Sequence, residues 1–113
     1  MTTKELMNNM SDTFDACLHI VEKKNHDYAG DRDAFANFRY STLVGVPEDR
    51  AILVRMTDKL ARISNLLDKD PFVSGESVID TLLDLINYTA ILKALMEEKN
   101  DLPMLREGIH PQK

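Results

Sequence analysis

Residues that break or cross-link a fold are scarce in this chain. Four glycines and four prolines among 113 residues leave too little turn chemistry for an all-β fold, which needs frequent reversals. The single cysteine, Cys17, excludes an intrachain disulfide and any multi-thiolate metal site. Its expected role is a small core hydrophobe in a reducing compartment. No run approaches the roughly 18 apolar residues of a spanning helix, and residues 1–10 lack a basic stretch followed by an apolar one. The reading is a cytoplasmic protein with no membrane partner. Positive charge is short as well: 14 Lys and Arg stand against 19 Asp and Glu, a net charge of -5. No global field therefore draws the chain onto duplex nucleic acid. Apolar residues, at 43%, are plentiful enough for one core in a chain too short for two.

The apolar residues repeat at helical spacing. Met7, Met10, Phe14, Cys17 and Val21 predict a first helix over Thr3–Lys24, with Thr3 able to cap its start and Lys23 and Lys24 suiting the negative pole at its end. From Asn25 to Val46 the chain reads as a long loop pinned by Phe35, Phe38, Tyr40 and Leu43, with a short helical turn around Ala34–Tyr40. A loop of that length in a small domain is more often functional than idle. Pro47, Glu48 and Asp49 fit a helix's first turn, and Ile52, Met56, Leu60, Ile63 and Leu67 carry that helix to about Asp68. After Asp70-Pro71, Ser74 can cap a last helix from Gly75 to about Lys99. The expectation is an all-α fold, a small bundle of three main helices with a helical turn in the long loop. Residues 1–99 form one domain and residues 100–113 a C-terminal arm.

The last helix carries an acidic stripe. At 100° per residue, Glu76, Asp80, Asp84 and Asn87 fall within an arc of roughly 80°, with Thr81 and Tyr88 at its flank. Oxygen ligands on successive turns suit a hard cation such as Mg²⁺, or Mn²⁺ in its place. The plain alternative is the wet side of an amphipathic helix. Against it, no Lys or Arg between Glu76 and Tyr88 relieves the repulsion between acids four apart.

Two further groups could serve the same chemistry. Arg55, Lys59 and Arg62 share one side of the preceding helix, where they could grip phosphate oxygens, while Asp58 could add a metal ligand or orient Arg62. An ordinary surface ion pair is the alternative. Lys24-Asn25-His26-Asp27-Tyr28, followed by Asn37-Phe38, offers hydrogen-bonding and stacking groups for a base or sugar, or else simply ends a helix. No GxxxxGK, GxGxxG, HExxH or GxSxG segment occurs, so metal-assisted phosphate chemistry is the class left standing.

These blocks, taken in order, resemble a known family. Lys24-Asn25-His26-Asp27-Tyr28, Asn37-Phe38, Val54-Arg55-Met56-Thr57-Asp58-Lys59 with Arg62, and Glu76-Ser77 leading into Asp80-Thr81-Leu82-Leu83-Asp84-Leu85-Ile86-Asn87-Tyr88 look like the nucleotide-modification-associated domain of the first type, a domain common in phages. The resemblance covers Val21 to Leu95 and rests on the set of blocks. That family is in turn similar in layout to the all-α, MazG-like nucleoside triphosphate pyrophosphohydrolases, which hold Mg²⁺ with ExxE and ExxD pairs. This chain departs from that pattern, with acids four apart on the last helix and only Asp58 on the earlier one.

The resemblance implies a nucleotide as partner. In the leading reading the chain is a Mg²⁺-dependent phosphohydrolase that cleaves a nucleoside triphosphate to the monophosphate and pyrophosphate, with Glu76, Asp80, Asp84 and Asp58 catalytic and the first three as metal ligands. Arg55, Lys59 and Arg62 steady phosphates, and Lys24, Asn25, Asp27, Tyr28, Asn37, Asn87 and Tyr88 contact the rest of the nucleotide. A non-catalytic nucleotide binder and a helical interaction module are the alternatives. Ile91, Leu92, Leu95 and Met96, lying beyond the acids, predict a homodimer or homotetramer.

Overall fold

The computed structural model describes the backbone of residues 1–27, 33–69 and 71–100, and side chains over 1–24, 33–69 and 78–99. The first helix, α1 (Thr3–Asp27), runs without a glycine or proline. It starts on a reciprocal cap: the Glu5 N–H donates to Thr2 Oγ1 at 3.1 Å, and the Thr2 N–H donates to Glu5 Oε1 at 2.9 Å. The cap is thus Thr2 rather than the expected Thr3, because only Thr2 has a carboxylate three residues on. Hydrogen bonds from the Thr2 backbone and hydroxyl also hold the Glu5 carboxyl below its ordinary range.

Much of the predicted loop is helical. Besides the extension of α1 through Asp27, α2 (Ala36–Arg39) continues into a 3₁₀ turn over Tyr40–Val44. That turn stops at Gly45, whose φ of +79° is the left-handed conformation that disfavours a side chain. The Gly45 N–H closes on the Thr42 carbonyl at 3.1 Å, and the Ser41 hydroxyl donates to the Val46 carbonyl at 2.6 Å.

α3 spans Glu48–Leu67, with extended Pro47 at its cap and Glu48 and Asp49 in its first turn. α4 spans Pro71–Asn100, so it begins four residues before the expected Gly75 and encloses Ser74 rather than being capped by it. Pro71 suits a first turn because its missing N–H would have had no helical acceptor. Among the described residues no helix is long and apolar enough to cross a membrane.

The short link between α3 and α4 makes them antiparallel neighbours, and cross-links run in opposite senses along the two: Arg62 to Thr81, Lys59 to Asp84, Asp49 to Lys99. Their far end holds the core, where Phe35, Ile52 and Leu95 are buried and Phe38, Met56, Tyr88, Ile91 and Leu92 pack around them. Phe38 meets Tyr88 edge-on at 6.3 Å between ring centres. α1 packs on α4 and, among the described residues, makes no contact with α3. The result is the expected all-α bundle of three main helices with a short fourth.

Two expectations about apolar surface change. On α4, Leu95 is fully buried and Ile91 and Leu92 belong to the core, leaving only Met96 of the expected self-association set exposed. On α1, Cys17 is buried, whereas Met7, Met10 and Phe14 are exposed, because the helix meets α4 only over its later turns. Leu60, Leu67, Ile79 and Leu82 on the hairpin are exposed as well.

Candidate functional site

A cleft of about 550 Å³ runs between α1, the α2 segment and α4. Its floor is α4, which contributes Asp84, Asn87 and Tyr88, and its walls carry Lys24 from α1 and Asn37 from α2. Phe14, Phe35 and Phe38 supply aromatic surface. Five polar residues singled out in the sequence therefore meet in one cavity. An apolar cleft with a few convergent polar groups is the usual form of a small-molecule site.

Helical spacing explains the meeting. Asp84, Asn87, Tyr88 and Ile91 are three or four apart on α4, as are Cys17, Val21 and Lys24 on α1. Asn87 ties the two helices, its Nδ2 donating to the Cys17 carbonyl at 3.2 Å. The Cys17 sulfur lies 3.8 Å from the Leu83 carbonyl oxygen. Burial, with the Asp84 carboxylate adding to it, pushes the Cys17 thiol above its ordinary pKa. The thiol is consequently held neutral and is a poor nucleophile at physiological pH.

Asp84 also faces α3. Lys59 Nζ stands 3.1 Å from Asp84 Oδ2, with both side chains about a third exposed or less. One turn away, Arg62 Nε donates at 3.2 Å to the hydroxyl of Thr81, which is buried. Lys59 and Arg62 of α3 thus meet Asp84 and Thr81 of α4. Arg62 is positioned by Thr81 instead of Asp58, which is exposed and in no ion pair among the described residues. Arg55 and Asp80 are exposed too.

Among the described residues no group of three or more His, Cys, Asp or Glu gathers to hold a metal ion. Asp80 and Asp84 stand one turn apart on α4, Asp80 exposed and Asp84 paired with Lys59. The side chains of Glu76, Asn25 and Asp27, and all of Tyr28, lie outside the described residues.

Sequence reasoning missed a second polar cluster. Arg39 forks onto Asp33 through Nε and Nη2, reaches Glu48 Oε2 at 3.0 Å and Glu98 Oε1 at 3.2 Å, and covers the Phe35 ring at 5.6 Å from its centre. This clasp fixes α2, and with it Phe35, Asn37 and Phe38, against the start of α3 and the end of α4. Arg39, followed by the Phe35 N–H, holds Asp33 below the ordinary carboxylate range, while the Glu48 helix-start N–H and then Arg39 do so for Glu48. The sequence signal, one arginine in a helical turn between Asp33 and Glu48, was too weak to name the third partner.

Comparison of the chain with protein-family models, with curated proteins and with solved structures finds no match to any of them.

Proposed function

We propose that the protein takes a nucleotide into the α1–α2–α4 cleft and, with Mg²⁺, hydrolyses a nucleoside triphosphate to the monophosphate and pyrophosphate. The observation carrying this reading is the position of Asp84, which lines the cleft and also meets Lys59 of the cationic α3 face. A base enclosed by Phe14, Phe35, Phe38 and Tyr88 would leave its phosphates directed to the α3–α4 seam, where Arg55, Lys59 and Arg62 offer positive charge. Asn37 and Asn87 would hydrogen-bond the base or sugar, and Lys24 would stand at the cleft wall. Asp80 and Asp84, joined by Glu76, would hold the cation, which when bound neutralises phosphate charge and makes a water more acidic. Phage nucleotide metabolism or modification is the setting that the sequence resemblance suggests.

A second reading is favoured by the same ion pair. With Lys59 already neutralising Asp84, the acids can serve to orient cations, and the protein then binds a nucleotide without turning it over. Incubating pure protein with common and modified nucleoside triphosphates and Mg²⁺, beside calorimetry with and without EDTA, separates the two. Pyrophosphate release carries the first; tight binding that survives EDTA without product carries the second. The absence of both turnover and binding for every nucleotide sinks the proposal and leaves a helical interaction module.

A further inference from the structure

The exposed side of α1 is organised about a single midpoint. Leu6, Met7, Met10, Phe14 and Leu18 are 45–64% exposed and form one stripe along the helix. Together they leave on the order of 500 Å² of apolar surface open, taking roughly 150–250 Å² for a large side chain. That is most of the about 800 Å² per partner that a stable interface buries, and it is at the upper end of what a monomer shows as one patch. Phe14 and Leu18 also line the cleft, so the stripe and the cleft mouth are continuous.

Two of the charges beside the stripe suit a second copy of the same helix. Lys4 and Glu22 lie five full turns apart and so on one flank, within about 90° of the stripe's centre. Neither belongs to an ion pair among the described residues. Their midpoint falls at Thr13, beside Phe14 and close to the middle of the stripe running from Leu6 to Leu18. A helix reversed about that point sets Lys4 against Glu22 of the other copy twice over while the apolar side chains interdigitate. A parallel copy would carry its Lys4 and Glu22 on the opposite flank and leave both unpaired.

We infer that two copies of the chain pack antiparallel about Thr13 of α1, and that each copy's helix closes the mouth of the other's cleft at Phe14 and Leu18. This stands independently of what the cleft binds. Sedimentation equilibrium on the full chain is expected to give a particle whose subunit number is halved by Met10→Asp, with helical circular dichroism unchanged. Lys4→Glu should weaken association by about tenfold, the size expected of two rim ion pairs, and the exchange variant Lys4→Glu with Glu22→Lys should recover most of the loss. Since Met10 is outside the cleft lining, Met10→Asp should also raise the fluorescence of anilinonaphthalene sulfonate several-fold as the mouth opens. A chain that sediments as a monomer at every concentration, as it would if residues 101–113 covered the stripe, overturns the inference. So does an assembly indifferent to Met10→Asp, or an exchange variant no tighter than Lys4→Glu alone. Unchanged dye fluorescence in Met10→Asp overturns the closure of the cleft.

Discussion

Lys59 and Asp84 face each other at 3.1 Å across the α3–α4 seam, and among the described candidate acids Asp58, Asp80 and Asp84 only Asp84 also borders the cleft. The two residues therefore separate the two functional readings. Under hydrolysis, Asp84→Asn is expected to lower the Mg²⁺-dependent rate by about a hundredfold or more, a loss of some 2.7 kcal/mol or more in transition-state stabilisation. Lys59→Gln should chiefly weaken nucleotide binding. Steady-state kinetics on both variants checks this, and equal modest losses would point to the ion pair as a structural link only.

Tyr88 and Asn87 should divide packing from recognition. Tyr88 edges onto Phe38 in the core as well as lining the cleft, so Tyr88→Ala should cost about 3 kcal/mol or more of stability. Tyr88→Phe keeps the ring and should leave thermal melting nearly unchanged while altering affinity for any bound nucleotide. Asn87→Ala removes the bond to the Cys17 carbonyl and should loosen α1, read out as faster amide exchange at residues 17–24.

Cys17 offers a chemical probe of the same junction. Its thiol pKa is raised, by burial first and the Asp84 charge second, so the native state keeps the proton longer than the unfolded chain does. Stability from this source is complete below the ordinary thiol value, about 9, and is lost as pH rises through the folded value. At pH 8 the native protein should react with a disulfide reagent much more slowly than the urea-unfolded chain. Asp84→Asn should speed that native reaction by removing the nearby negative charge.

The Arg39 clasp predicts behaviour in acid. Asp33 and Glu48 have depressed pKa values, so their contribution is present above their ordinary values near 4 and fades as pH falls through the lower, folded ones. Melting temperature should drop below pH 4 in the native sequence. Arg39→Ala should flatten that drop and destabilise the protein at pH 7 more than at pH 3. Equal destabilisation at both pH values would mean that Arg39 acts through its packing on Phe35.

Core substitutions calibrate the rest. Ile52 and Leu95 are fully buried against one another's helices, so Ile52→Ala and Leu95→Ala should each cost about 2–5 kcal/mol by urea unfolding. Leu60→Ala on α3, where the side chain is exposed, should cost far less.

Helices were legible in this sequence where apolar spacing ran unbroken, as over Met7 to Val21 and Ile52 to Leu67. Their ends were harder to place, for Pro71 reads equally as the stop of one helix and the first turn of the next. Spacing also identifies an apolar face without saying what covers it. Met7 and Met10 carry the same pattern as Cys17, yet only Cys17 is buried, because the reach of α4 along α1 is a tertiary fact. Within the site, Asp84, Asn87 and Tyr88 could be named because the acidic stripe of α4 carries no relieving Lys or Arg, and Lys24 and Asn37 because they belong to blocks of hydrogen-bonding and stacking residues. The contribution of Phe14 and Phe35 to the same cleft was hidden among ordinary core residues. Arg39 was hidden differently: its acids come from positions 33, 48 and 98, a convergence that no local window contains.

Because α1 and α3 each rest on α4 with no contact between the two among the described residues, the molecule has two seams that share one rib. The seam bearing Ile52, Leu95 and the Arg39 clasp is the better fastened, whereas the other is held by Cys17, Asn87 and a few apolar neighbours. Softening on warming should then begin at α1. A guest entering the cleft can widen its berth by swinging that helix alone, leaving the cationic hairpin as a fixed jaw.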